Sequence, residues 1–155
     1  MIKIAISYFY QIRNFKPNMI PVSTAISDPL WYRPRIDEEY YIDKRGIPCG
    51  LRYDPLIVQL NGIHGCPCED KSRAPNCPTM LEYRSLLEDI DFDKMITAFE
   101  FCGNKFKKEL QFEEEPIIVL IVYEVPSNPC SERWALIEYF QAHGIDCNEL
   151  SYPIV

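Results

Sequence analysis

Pro116-Ile117-Ile118-Val119-Leu120-Ile121-Val122-Tyr123-Glu124 runs through Val125-Pro126-Ser127-Asn128-Pro129 into Cys130-Ser131-Glu132-Arg133, an apolar strand that turns directly into a helix. The run from Ile117 to Tyr123 is too continuous for a half-exposed strand and predicts one buried on both faces, as in parallel sheets. The helix is expected from about Asn128 to His143, closed by Gly144. Asn128 then caps it, Pro129 takes its first position and Cys130 lies in its first turn. Free backbone N–H groups and the positive end of the helix dipole meet there. Such a place suits an anionic ligand and lowers a thiol pKa, so Cys130, Ser131 and Arg133 are candidate functional residues.

Upstream, Thr79-Met80-Leu81-Glu82 is a capping-box pattern followed by Tyr83, Leu86, Leu87 and Ile90 at helical spacing. Asp91 or Asp93 can cap a second helix with Met95, Ile96, Phe99, Phe106 and Leu110 inward and Lys105, Lys107 and Lys108 near its end. The acidic run from Glu113 to Glu115 and Pro116 stop it. Ile2 to Phe9 and Ile20 to Ile26 read as strands, with Pro21 confined to a strand start or edge. From Ser27 to Pro78 the periodicity fades under seven prolines, leaving only Leu56 to Leu60 as a short regular element. Ile145 to Ile154 is expected to add an edge strand. Strands alternating with helices around a buried strand imply an α/β sandwich with a mainly parallel sheet.

The 155 residues, 47% of them hydrophobic, suffice for a single domain over 1–155 with a real core, its 28–78 region an irregular, loop-rich insertion. The opening Met1 to Ser7 lacks the features of a signal peptide, and no apolar run reaches membrane-spanning length, so a cytoplasmic protein is expected. Seven cysteines fit reduced thiols or metal ligands better than a disulfide framework. The net charge of −7 is uneven: residues 1–80 carry 10 basic and 8 acidic groups, and residues 81–155 carry 6 and 15. An acidic whole argues against non-specific nucleic-acid binding, although Arg33, Arg35, Lys44, Arg45 and Arg52 supply a candidate basic face. The alternative is a set of solvated charges in loops.

Ser7-Tyr8-Phe9, Val22-Ser-Thr-Ala-Ile-Ser27 leading to Pro29-Leu-Trp-Tyr32, Gly46 to Gly50-Leu-Arg-Tyr53, and Pro116 through Arg133 together resemble the domain-of-unknown-function 488 family of small bacterial and phage proteins. The resemblance covers most of the chain. Many family members end the strand with Cys-His-Arg, where this chain has Cys130-Ser131-Glu132-Arg133, so the histidine is absent and the arginine lies one residue later. What the resemblance implies is a fold, a Rossmann-like three-layer α/β sandwich. It assigns no activity.

In open parallel sheets ligands bind beyond the carboxyl ends of the strands, which would bring Ser7, Tyr8, Ser27, Trp31 and Tyr32 toward Cys130, Ser131 and Arg133. Aromatic rings beside an anion-binding helix start suit a nucleotide, a nucleic-acid end or a related anion, in a binding protein or an enzyme of nucleotide or nucleic-acid metabolism. In the competing reading Trp31 and Tyr32 cover the core and Cys130 is a small buried residue. Cys130 is also a candidate nucleophile, but the chain has two histidines, His64 and His143, and His143 lies more than three turns along the same helix. Anion binding by Ser131, Arg133 and backbone N–H groups therefore ranks above covalent catalysis. A second function class is a non-catalytic interaction module of phage or mobile-element type, contacting a partner protein through region 28–78.

His64-Gly65-Cys66-Pro67-Cys68 with Cys77-Pro78 forms a separate constellation. Thiolates and an imidazole in a loop suit tetrahedral zinc, and a structural zinc on His64, Cys66, Cys68 and Cys77 would stabilise the irregular region. The competing reading leaves these cysteines as unligated thiols. No organic cofactor is indicated.

Overall fold

The apolar run from 117 becomes the middle strand of a parallel sheet. A computed structural model describes residues 2–57, 78–127 and 131–154. Among these residues five strands, β1 (Lys3–Tyr8), β2 (Met19–Ser23), β3 (Tyr41–Ile42), β4 (Pro48–Cys49) and β5 (Ile117–Val122), accompany three α-helices, α1 (Pro78–Glu88), α2 (Phe92–Leu110) and α3 (Glu132–Ala142). The main sheet has the order β1-β5-β2, and both pairings are parallel, with Leu120 in register between Ile6 and Val22. A separate antiparallel ladder joins β3 to β4. The fold is mixed α/β.

Double-sided pairing explains the sequence of β5. Its residues from Ile118 to Val122 are all fully buried, which leaves no position for the polar alternation of a half-exposed strand. On one face Ile118, Leu120 and Val122 pack in a single core with Tyr83 and Leu87 of α1, Met95, Phe99 and Phe106 of α2, and Leu136 and Phe140 of α3. On the other face Val119 and Ile121 meet Phe9, Ile12, Tyr32, Ile47 and Cys49. The helices thus cover one side, and 3-10 turns (Phe9–Asn14 and Leu30–Tyr32) and the β3–β4 ladder cover the other.

Each edge of the sheet is extended by one bridging residue. Ile6 pairs in parallel with Glu149 through Ile6 N–H to Asn148 O (3.0 Å) and Leu150 N–H to Ile6 O (2.9 Å). Ser23 pairs likewise with Arg52. The expected edge strand over 145–154 is therefore reduced to a single bridge, and Pro153 has no N–H to prolong it. Pro21 is tolerated because its side of β2 faces outward: Ser23, of the same parity, sends its N–H away from β5 to Leu51 O at 2.8 Å.

Asp91 caps α2, its carboxylate accepting the Lys94 N–H at 3.1 Å, and Gln111 closes that helix in the left-handed region at φ 57°. Two expected helix starts are corrected. Thr79 lies inside the first turn of α1, which begins at Pro78, and α3 begins at Glu132 with Ser131 as its cap. Asn128 and Pro129 were equally good local signals, but Ser131 has the extended backbone and the side-chain acceptor that the helix uses.

Gly46 and Gly50 both have left-handed backbone, at φ 86° and 117°. A Cβ at Gly46 would meet nothing within 4 Å, whereas one at Gly50 would lie 2.8 Å from Pro34 Cδ. Gly46→Ala should therefore cost about 1–2 kcal/mol of backbone strain alone. Gly50→Ala should cost clearly more, and comparable urea midpoints for the two variants would refute the close approach.

Candidate functional site

The start of α3 meets the carboxyl end of β1. Ser131 Oγ accepts the Arg133 N–H at 3.3 Å, capping the helix. The Arg133 side chain is completely buried. Its Nε donates to Glu149 Oε1 at 2.7 Å, and its guanidinium carbon lies 6.0 Å from the centre of the Tyr8 ring. Glu149 is held in place because its neighbours, Asn148 and Leu150, bridge to Ile6. Among the described residues, neither Arg133 Nη1 nor Nη2 has a hydrogen-bond partner, nor does Glu149 Oε2. Burial pushes the Glu149 carboxyl up, and Arg133 opposes that shift. A guanidinium with two desolvated, unpaired nitrogens is costly, so the arrangement is one that an incoming anion would complete.

A buried carboxyl pair flanks the same helix start. Glu124, just beyond β5, and Glu132, the first residue of α3, are both buried, and both oxygens of Glu124 and Oε2 of Glu132 lack partners among the described residues. Desolvation, and then the neighbouring Glu124, raise the Glu132 carboxyl well above its ordinary range, with Arg133 a weaker opposing influence. Tyr83 of α1 faces the pair, its hydroxyl donating to Leu56 O at 2.7 Å, and its own ionisation is pushed up by burial and by Glu132.

Outward from Tyr8 lies a row of rings. Tyr152 stands 6.4 Å from Tyr8 and 6.1 Å from Tyr10, centre to centre. Arg13 lies 3.8 Å over the Tyr10 ring and donates to the Tyr152 hydroxyl at 3.1 Å. The i, i+3 spacing of Tyr10 and Arg13 on a 3-10 turn brings them together. Tyr10 and Arg13 also line a groove of about 470 Å³ with Trp31 and Arg45.

The residues predicted from sequence divide among several places. Tyr8, Ser131 and Arg133 come together. Ser7 is fully buried on the opposite face of β1, where its hydroxyl accepts from Gln11 Nε2 at 3.1 Å. Tyr32 is fully buried too, its hydroxyl donating to Leu51 O at 2.7 Å, so it is a core residue and not a stacking surface. Trp31 is half exposed in the groove with Tyr10. Ser27 belongs to another groove, of about 680 Å³, with Arg33, Arg35 and Arg52. Two of those arginines hold the loop after β2: Arg52 pairs with Asp28 at 2.6 Å, and Arg33 Nε donates to Asp28 O at 2.9 Å. The basic face is thus split, with Arg45 facing the groove that holds Trp31.

Cys130 and the proposed zinc ligands His64, Cys66, Cys68 and Cys77 lie outside the described residues. Among the described residues no cluster of three or more histidine, cysteine or acidic side chains is arranged to hold a metal. Burial pushes the Cys49 and Cys102 thiols up to about 11 and Cys147 to about 12, so none of these is an activated nucleophile. His143 stacks on Phe92 at 4.2 Å with Nδ1 2.9 Å from Tyr139 O, a packing role at the helix end. No helix among the described residues is long and apolar enough to cross a membrane. Glu124, Glu149, Tyr10, Arg13 and Tyr152 were missed in the sequence. Only the Tyr10 and Arg13 spacing offered a local signal.

Family models, curated protein sequences and solved structures contain no match to this chain.

The raised Glu132 carboxyl sets a pH dependence. The folded state binds more protons than the unfolded chain from the ordinary value of 4.5 upward, so stability present below that value is lost as pH rises through the window. Denaturant unfolding of Glu132→Gln and the parent protein should show the variant gaining relative stability between pH 5 and pH 8. An unchanged difference at the two pH values would mean that Glu132 is ionised in the fold throughout.

Proposed function

We propose that this protein binds a nucleotide, a nucleic-acid end or a related phosphate-bearing anion at the carboxyl ends of β1 and β5, with Arg133 as the gripping residue. The observation that carries this reading is the Arg133 guanidinium, wholly buried yet with both terminal nitrogens unpaired among the described residues. Nε is committed to Glu149, which fixes the plane of the group and leaves the other two nitrogens for bidentate contact with phosphate oxygens. Backbone N–H groups of the first turn of α3, behind the Ser131 cap, add donors and the positive end of a helix dipole. In this reading the sheet is the centre of a Rossmann-like sandwich whose crevice lies beyond the strand ends. The nearby Glu132 carboxyl, raised well above its ordinary range by burial, gives the site a group able to hold a proton, as an enzyme of nucleotide or nucleic-acid metabolism would need.

A second reading, a module that contacts a partner protein through region 28–78, has its own support. Leu30, Trp31 and Ile36 expose large apolar side chains within a few residues of one another, Leu30 at 80% and Ile36 fully. Such a patch marks interaction surfaces.

Calorimetric titration with thymidine monophosphate and with inorganic phosphate separates the two. On the first reading the monophosphate binds, and Arg133→Gln weakens it by roughly tenfold or more, the loss expected for charge-assisted hydrogen bonds. Arg133→Lys, which keeps the charge and loses the fork, should retain part of the affinity, and circular dichroism checks that both variants fold. No heat with either ligand, or equal affinity in folded Arg133→Gln, removes the anion-binding reading.

A further inference from the structure

The contacts beyond Arg133 form a chain of neighbouring side chains from the buried guanidinium to the surface. Arg133 faces the Tyr8 ring, Tyr8 neighbours Tyr152, Tyr152 neighbours Tyr10, and Arg13 covers Tyr10 while bonding the Tyr152 hydroxyl. Tyr10 and Tyr152 are about half exposed, at 54% and 50%, and so is Trp31 in the groove that Tyr10 and Arg13 share. Exposed aromatic rings interleaved with guanidinium groups are what single-stranded nucleic acids bind, because every base has a face to stack and every linkage a charge to neutralise. Two of the three guanidinium groups along the path are ion-paired, Arg45 with Asp43 and Arg133 with Glu149, and Arg13 adds an exposed positive charge in a chain whose net charge is −7.

We propose that the ligand of the strand-end site is the end of a single-stranded nucleic acid, with its terminal phosphate on Arg133 and its following nucleotides running over Tyr152 and Tyr10 toward the groove that holds Arg13 and Trp31. The proposal rests on the reading of Arg133 as the anion-binding residue and extends it to a polymer. One phosphate on the buried Arg133 leaves the solvent-facing Arg13, and the exposed faces of the rings between, out of contact with the ligand. A strand of several nucleotides engages both cations. The acidity of the rest of the molecule keeps binding local, so few phosphates are neutralised. With one phosphate each at Arg13 and Arg133, the logarithm of affinity should fall against the logarithm of salt with a slope of only roughly one to two.

Fluorescence anisotropy competition with thymidine monophosphate, a thymidine tetranucleotide carrying a 5′ phosphate, and the abasic form of that tetranucleotide tests this. The tetranucleotide should bind about tenfold or more tighter than the monophosphate, since each stacked base contributes on that scale. The abasic strand should lose most of the gain. In the double variant Tyr10→Ala and Trp31→Ala the ratio of the two affinities should collapse toward one, and both side chains are exposed enough for the fold to survive. Arg133→Gln should weaken the monophosphate and the tetranucleotide by similar factors. Equal binding of monophosphate and tetranucleotide overturns the strand while leaving the anion site standing. Equal binding of the abasic and normal strands overturns stacking, and binding of no ligand at all removes the underlying reading with it.

Discussion

β5 must be hydrogen-bonded on both edges and covered on both faces, and the rest of the molecule is arranged around that requirement. Its edges are taken by β1 and β2, in register so that Leu120 lies between Ile6 and Val22. The chain lays down those outer strands first and leaves the slot between them for a segment almost a hundred residues later. Such long-range parallel pairing is slow to form and must be supported by packing from elsewhere. The three helices supply it on one face. On the other, Phe9, Ile12 and Tyr32 from short 3-10 turns do the same with less regular backbone.

The same placement creates the site. The chain leaves β5 at Val122, passes Glu124 and re-enters the fold as α3, so the first turn of that helix carries Glu132 and Arg133 into the interior. Each of those ionisable groups turns to a different neighbour. Arg133 reaches the outer side of β1, where Glu149 is fixed by its bridge to Ile6, and Glu132 reaches Glu124 and Tyr83. Burial of charge on this scale stabilises a fold poorly, since desolvation offsets most of the attraction within a pair. Nitrogens of Arg133 and oxygens of Glu124 that find no partner among the described residues add further cost. Strongly perturbed ionisable groups gathered in one place mark a candidate functional site.

The surface around the site follows from how the aromatic residues are shared out. Adjacent residues Trp31 and Tyr32 have opposite fates: Tyr32 buries its ring and satisfies its hydroxyl on Leu51 O, while Trp31 stays half exposed. Tyrosine rings from opposite ends of the chain, Tyr8, Tyr10 and Tyr152, make the row beside Arg133. In the irregular region Arg33 and Arg52 are held on Asp28, and Arg45 on Asp43 and the carbonyls of Ile12 and Arg13, whereas Arg13 and Arg133 lie along the tyrosine row.

Local pattern in the sequence was enough for the elements that depend on local physics. The unbroken apolar run marked β5 as buried on both faces, helical spacing marked the inner sides of α1 and α2, and the Asp91–Asp93 pair marked the start of α2 without deciding between them, because burial periodicity and capping act over a few residues. The strand-to-helix corner at Ser131 and Arg133 was legible as a candidate site for the same reason. Sequence did not decide which residues share that corner. Glu149 lies 16 positions from Arg133 and Tyr152 more than 140 from Tyr8, and nothing local records either approach. Which of Ser7 and Tyr8 faces the start of α3, the helix start at Ser131 in place of Asn128, and the withdrawal of Tyr32 into the core were settled by tertiary packing. Strand order, the parity of β1 and the position of α3 against it fix which side chains meet, and those are properties of the assembled sheet.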